Sequence, residues 1–227
     1  MTDELLKIKL SRIHDLAKKQ YELKPKQARE LIRAITAVFK ELLTRDGYAP
    51  RDITRLTTKF RDAGRRSAPW KAASSRVPGR PQDGSDGNRI NRWLMAKNHK
   101  FYADEVTATL VEVKYYLQAL SMKDAPRLPP NSIQDSFDWL LEQPLQSDNY
   151  LDPIQFIPMS LRDIFSDFRS IQSGHFHPLD RGGRHIPKNS FLMLARSNQL
   201  QGNLTVEELM QLMKDILERQ QQHANNA

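Results

Sequence analysis

The chain has 227 residues, 39% of them hydrophobic, which is long enough for one or two compact domains with a buried core. It has no cysteine, which excludes disulfides and the cysteine-based zinc sites that support some small domains. No apolar run reaches the length of a membrane span, and the acidic, polar start is unlike a signal peptide. We therefore expect a cytoplasmic protein with no membrane partner.

The net charge of +8 is concentrated in one segment of the chain. Residues 51–100 contain 13 Lys and Arg against 4 Asp, a net charge of +9, whereas the other residues contain 22 basic and 23 acidic side chains. A cluster of positive charge suits a polyanionic partner, because each neutralised phosphate releases counterions. A solvated basic loop is the alternative interpretation of this segment.

Residues 1–62 are predicted to be helical. Apolar residues recur at helical spacing from Leu6 to Ala17, from about Lys26 to Leu42, and again after Pro50. The Asp46-Gly47 pair predicts a break between the second and third helices. Three short helices indicate a small bundle, with a DNA-reading helix-turn-helix as the alternative.

Residues 63–90 lose this periodicity and predict a basic, Gly- and Pro-rich loop. Arginine side chains in such a loop suit bidentate contacts with phosphate groups. The residues that we predict to contact nucleic acid in and beside this loop are Arg65, Arg66, Lys71, Arg76, Arg80, Arg89 and Arg92.

Residues 91–159 predict a second helical region. A long helix is expected from about Asn91 to Ser121, and its amino end, with Lys97 and Lys100, extends the basic patch. A shorter helix is expected around Phe137.

Residues 160–222 change from a helical to a strand pattern. We predict a first strand within residues 168–178, a second at residues 190–194, and a short helix at residues 195–201. Thr205 and Glu208 then have the spacing of a capping box for a final amphipathic helix.

Residues 173–205 of this region resemble the HNH nucleases, the ββα-metal superfamily. The residues that carry the resemblance stand in one frame with the family's spacing: His175, Pro178, Arg181-Gly182-Gly183, Asn189 and Asn198. The fold expected from the whole pattern is therefore mainly α, with a small C-terminal ββα-metal (HNH-like) unit.

The resemblance implies a role for each of these residues. His175 would be the general base, since a neutral imidazole accepts a proton from water near neutral pH. Asn189 would fasten the loop between the strands and so orient His175, and Asn198 would contact a metal ion. An amide oxygen is a hard ligand that suits Mg²⁺ or Mn²⁺, and we expect no zinc. Arg181 would reach a phosphate.

The sequence departs from the family pattern where a metal-binding Asp is usual, because that position is Gly174. By strand alternation His177 would project on the same side as His175 and replace the missing ligand. Asp180 is the alternative, as are the upstream carboxylates of Asp163 and Asp167. His185 is a further candidate, for contact with the nucleic acid or for ligation.

These features predict a metal-dependent endonuclease that cleaves double-stranded DNA, of the type II restriction class. A homodimer and a cognate methyltransferase are the partners that such an enzyme implies. Three alternatives stay open: a phage, homing or defence nuclease, including one that acts on RNA; a catalytically inactive nuclease fold that binds DNA; and a helical structural protein.

Overall fold

The protein is mainly helical, as predicted. The structure, a computed structural model, describes residues 3–67, 89–127 and 134–225. Its α-helices in these ranges are α1 (Asp3–Ala17), α2 (Pro25–Arg45), α3 (Pro50–Gly64), α4 (Glu105–Leu120), α5 (Gln134–Leu141), α6 (Leu161–Ser166), α7 (Ala195–Gln201) and α8 (Val206–Asn225).

Two small antiparallel sheets accompany the helices. The first pairs β1 (Arg66–Ser67) with β2 (Ile90–Asn91), and the second pairs β3 (Ile171–His175) with β4 (Ser190–Leu194). In the β3–β4 hairpin, His175 lies opposite Ser190. The short β1–β2 pair corrects the expectation that regular structure is lacking at both ends of the basic loop.

Local signals explain where the first three helices begin and end. Pro25 and Pro50 occupy the first turns of α2 and α3, where a missing N–H costs no hydrogen bond. Gly47 follows α2 with a φ of 86°, the left-handed conformation that glycine adopts without strain. The three apolar stripes predicted from the sequence pack together in the core.

Helix α4 is the centre of the helical region. We predicted a helix from about Asn91 with one buried face, but α4 begins at Glu105, where the side chain of Asp104 accepts a hydrogen bond from the Thr107 N–H at 2.9 Å. Buried residues follow one another from Tyr115 to Leu120, so α4 is enclosed by neighbouring elements. Polar Glu112 and Gln118 are buried together with the apolar residues, so the expected single buried face is wrong for this part of α4.

The two faces of the β3–β4 hairpin pack against different clusters. Ile171 and Leu192 belong to the main core, which also contains residues of α1 to α6. Phe191 and Met193 belong to a separate cluster with Ile154 and with Leu209 of α8. The predicted division at residues 1–62, 63–90, 91–159 and 160–222 stays a prediction.

Within the described ranges, none of the helices is sufficiently long and apolar to cross a membrane.

Candidate active site at the β3–β4 hairpin

His175 is the last residue of β3 and faces the helical region. Side chains alternate along a strand, so His175 lies on the same face as Ile171, which packs in the main core. The backbone oxygen of His175 accepts a hydrogen bond from Gln201 Nε2 at 2.8 Å, which ties the strand end to α7. The predicted base thus lies where the hairpin meets the helices. We call the group formed by His175, His185, Gly64 and Arg92 the junction.

A chain of hydrogen bonds connects His175 to the end of α3. His175 Nε2 lies 3.0 Å from His185 Nδ1, and His185 Nε2 lies 2.7 Å from the backbone oxygen of Gly64. A carbonyl oxygen can only accept, so His185 Nε2 carries the proton of that bond. When His185 is neutral, its Nδ1 accepts from His175 Nε2–H, and Nδ1 of His175 is then the unprotonated nitrogen.

Gly64 is required at this junction by close packing. A Cβ at residue 64 would lie 2.6 Å from Cβ and 2.7 Å from Cα of Glu112, so no larger residue fits between α3 and α4. The close approach brings the Gly64 carbonyl within reach of the hairpin, 121 positions further along the chain.

Arg92 occupies the same junction and is buried, with 6% of its surface exposed. Its Nε donates to Gly64 O at 3.0 Å, and its two terminal nitrogens donate to Ala63 O and Phe101 O at 3.2 Å. Burial lowers the pKa of Arg92 to about 10. The guanidinium of Arg92 is buried and donates to backbone carbonyls, and its contact with a phosphate stays a prediction.

Both histidines of the junction are neutral at pH 7. Burial, with a smaller contribution from the charge of Arg92, lowers the pKa of His175 to about 4. The same causes lower the pKa of His185 well below its usual value. His185 is 1% exposed and lies within hydrogen-bond distance of His175; its contact with nucleic acid stays a prediction.

Asn189 holds the loop between β3 and β4. Its Oδ1 accepts from the His177 N–H at 2.8 Å, and its Nδ2 donates to the backbone oxygens of His177 and Arg184, both at 2.9 Å. These bonds join the two ends of the loop directly beside His175 and His185. An amide is suited to this position because it can accept and donate at the same time.

Asn198 lies away from His175. Its Nδ2 donates to Gln172 Oε1 at 2.6 Å, and Gln172 is three positions from His175 on β3, on the opposite face of the hairpin. Gly174 shares the face of Gln172, and a Cβ added there would meet the side chain of Met193 far inside van der Waals contact. The hairpin therefore separates the predicted base from the predicted metal contact.

The other residues considered as metal ligands also have separate partners. The strand ends at His175, so alternation does not extend to His177, whose exposed ring donates from Nε2 to Arg181 O at 2.9 Å. Asp180 pairs with Lys100, and Asp167 lies 3.3 Å from Nε of Arg169. Asp163 lies in the first turn of α6, where its N–H bonds the Ser160 hydroxyl at 3.3 Å.

The residues present do not fit a metal ion held by protein side chains. Within the described ranges, no three His, Asp or Glu side chains are grouped so that they could bind one ion. Asn198 stands apart from His175, and position 174 has no ligand atom.

The predicted phosphate contacts outside the junction are mostly paired with acidic groups. Arg65 forms an ion pair with buried Glu112, and Arg66 Nη1 lies 3.5 Å from an Asp62 carboxylate oxygen. Arg89 Nη1 donates to the Asp62 backbone oxygen at 3.4 Å. Arg181 forms a two-pronged ion pair with Glu208, one of its bonds measuring 2.9 Å. Three further predicted contacts lie outside the described residues: Lys71, Arg76 and Arg80.

A basic cavity of about 440 Å³ borders His185 on the outer side of the junction. Its lining residues come from the segments 97–107 and 179–186, and its cationic side chains are Lys97, Lys100 and Arg184. Arg184 was missed by the sequence reasoning, because a single arginine after a Gly-Gly turn has no distinctive pattern.

Comparisons with known proteins provide little further identification. No family model matches the sequence, and no curated protein matches it significantly. Among solved structures, one similar chain is described as the crystal structure of a type II restriction endonuclease, with 20% identity and a TM-score of 0.46. The match covers 54% of this chain and 55% of that chain, about half of each. A likeness of this size establishes neither a shared fold nor a shared activity.

Proposed function

We propose that this protein is an endonuclease of the HNH type that hydrolyses phosphodiester bonds in DNA. In this proposal His175 is the general base, Asn189 positions the loop around it, and His185 holds its ring. The cations beside the junction attract the phosphate backbone. A type II restriction activity is the specific form that we favour.

The observation that supports the proposal best is the hydrogen-bond chain from His175 through His185 to the Gly64 carbonyl. A base is effective when its ring orientation and its tautomer are both set by a second group. His185 is the second group for His175, and it leaves Nδ1 of His175 without a hydrogen-bond partner within the described ranges. The Asn189 bonds add rigidity to the same loop.

The chemistry required of His175 is the removal of a proton from the attacking water. With Nε2–H directed at His185, the lone pair of Nδ1 is the site that accepts this proton. The low pKa of His175 means that nearly all molecules have this nitrogen unprotonated at pH 7. The acid side of the pH–rate profile should therefore lie below the usual histidine range.

The resemblance also implies a divalent metal ion, Mg²⁺ or Mn²⁺, and this requirement stays a prediction. Because the described side chains do not form a protein-held site, we derive no catalytic step through a metal. The dimer and the cognate methyltransferase are likewise predictions.

Plasmid cleavage tests the proposal. Supercoiled plasmid is incubated with the purified protein in Mg²⁺, in Mn²⁺ and in a chelator, and nicked and linear products are quantified. We expect His175→Ala to reduce cleavage by about 10²- to 10⁴-fold, the usual contribution of a general base. His177→Ala is the matched control, since it removes an exposed histidine two positions away, and it should cleave within about threefold of the wild type.

Each outcome has a definite meaning. Cleavage by His175→Ala within tenfold of the wild type refutes the assignment of the base. Abolition by His177→Ala instead would make His177 the functional histidine. Discrete bands from several plasmids support a restriction activity, whereas a smear supports a less specific nuclease.

A second function, DNA binding without cleavage, is favoured by one observation. The base and the predicted metal contact lie on opposite faces of the hairpin, and Gly174 provides no carboxylate. If the protein binds duplex DNA but does not cut it under any metal condition, this second function replaces the first.

A further inference from the structure

A second basic cavity lies in the cleft between α2 and α3. It has a volume of about 470 Å³, and Glu112 and Tyr116 of α4 contribute to its lining. The lining residues of α2 recur at steps of three and four positions, as do those of α3, so each helix presents one continuous face to the cleft.

The lining of this cleft, the α2–α3 cleft, contains five cationic side chains: Arg29, Arg33 and Lys40 from α2, and Arg61 and Arg65 from α3 and its C-terminal cap. The lining contains one carboxylate, that of Glu112, which is 1% exposed and paired with Arg65. Of the other four cations, Arg29 pairs with Glu105, and Arg61 Nε lies 3.5 Å from an Asp62 oxygen. Arg33 and Lys40 are therefore the main source of positive potential in this concave cleft.

Several of these cations have unused hydrogen-bonding capacity. Arg29 pairs with Glu105 at 2.6 Å, but no ion pair or hydrogen bond engages the side chains of Arg33 and Lys40 within the described ranges. Arg61 Nε makes no hydrogen bond within the same ranges, but it lies 3.5 Å from a carboxylate oxygen of Asp62. The donors of Arg33 and Lys40 are therefore the ones available to an anionic oxygen that enters the cleft.

We propose that the α2–α3 cleft binds the phosphate backbone of DNA. This inference rests on the proposed nuclease function, and it names a grip on the substrate away from the site of cleavage. Guanidinium groups bind phosphate oxygens through paired N–H donors, and backbone contacts of this kind position a protein on the duplex.

The length of the cleft fits an extended polyanion. Arg29 and Lys40 are eleven residues apart, roughly 16 Å along the helix axis. Phosphates of one DNA strand follow one another about every 3.4 Å along the duplex axis. The α2 side of the cleft can therefore face several of them.

The cleft was not visible in the charge distribution along the sequence. Arg29, Arg33 and Lys40 precede the basic segment of residues 51–100, in the part of the chain whose 22 basic and 23 acidic side chains nearly cancel in a linear count. Folding brings these cations together with those of α3, so that two helices line one cleft.

Duplex binding at several salt concentrations tests the inference. The probe is a fluorescent 30-base-pair duplex, and His175→Ala serves as the background so that cleavage does not disturb the measurement. Into this background we introduce Arg33→Ala with Lys40→Ala. The matched control is Lys18→Ala with Lys19→Ala, which removes the same charge from exposed lysines that do not line the cleft.

We expect the cleft variant to bind more weakly and to lose about 0.9 from the log–log salt slope for each phosphate contact removed. The control should keep the slope of the background protein. Equal slopes for the two variants overturn this inference while leaving the nuclease proposal intact. If the background protein does not bind duplex DNA at all, the inference and the proposed function both fail.

A folding defect is separated from a binding defect by a second variant. Arg33→Glu with Lys40→Glu should weaken binding further than the alanine pair, with thermal melting within a few degrees of the background. If this charge-reversal variant weakens DNA binding no more than the Arg33→Ala, Lys40→Ala variant does, the inference is also overturned.

Discussion

The two faces of the β3–β4 hairpin differ in chemistry although they share ten residues of backbone. One face carries His175, whose ring reaches a buried, fully hydrogen-bonded group of His185, Arg92 and the Gly64 carbonyl. The opposite face carries Gly174 against Phe191 and Met193, in a small apolar cluster.

This difference shows that adjacent residues of the predicted motif can face different environments. Gly174 and His175 are adjacent in sequence, but strand alternation sends them to environments of opposite polarity. The polar face depends on the helical region for its partners, whereas the apolar face depends on α8. Changes on the two faces should therefore have different consequences.

The largest effect is expected from placing a carboxylate on the apolar face. Gly174→Asp introduces a Cβ into the space of Met193 and a charge into an apolar cluster, so we expect unfolding to become easier by about 3 kcal/mol or more. Urea denaturation measures the change, and Gly174→Ala separates the steric part from the charge. Metal-dependent cleavage should not increase. A stable, more active Gly174→Asp protein would show that this face binds metal after all.

Acid should destabilise the polar face through its histidines. The folded-state pKa of His175 is about 4, below the usual 6.5, so the unfolded chain binds a proton that the folded protein does not. Stability is therefore full above pH 6.5 and falls as the pH decreases toward 4, by about 3 kcal/mol over the whole range for this group.

Urea denaturation at pH 7.5 and at pH 5.0 measures this loss. His185 shifts in the same direction and adds to it. The control is the double variant His175→Gln, His185→Gln, whose stability should change less between the two pH values. The same pH dependence in the double variant would show that other groups cause it.

The smallest and most specific effect concerns the tautomer of His175. His185→Gln retains an oxygen that accepts from His175 Nε2–H and an amide that donates to Gly64, whereas His185→Phe removes both. Nitrogen-15 NMR of the imidazoles should find the Nε2–H form of His175 in the wild type and in His185→Gln. In His185→Phe this preference should weaken, and cleavage should decrease with it. A protein with Nδ1–H at His175 in all three forms would contradict the hydrogen-bond chain.

Local patterns in the sequence were sufficient for most of the secondary structure. The strand at residues 190–194, the helix at residues 195–201 and the Thr205–Glu208 capping box agree with the structure, because each depends on neighbouring residues. The mainly α class followed from the same periodicity. The start of α4 was wrong because the Asp104 N-cap, whose side chain accepts from the Thr107 N–H, was not recognised as the start of the helix.

The spacing of His175 and Asn189 indicated a candidate site, but the environment of that site depended on distant residues. Nothing near Gly64 in the sequence indicates that its carbonyl meets a histidine 121 positions later, and charge alone does not distinguish buried Arg92 from exposed Arg33. Burial, pKa and the pairing of cations are properties of packing between elements. Local sequence therefore selects the elements and the residue types of the site, whereas long-range packing selects which face, which partner and which charge state each residue has.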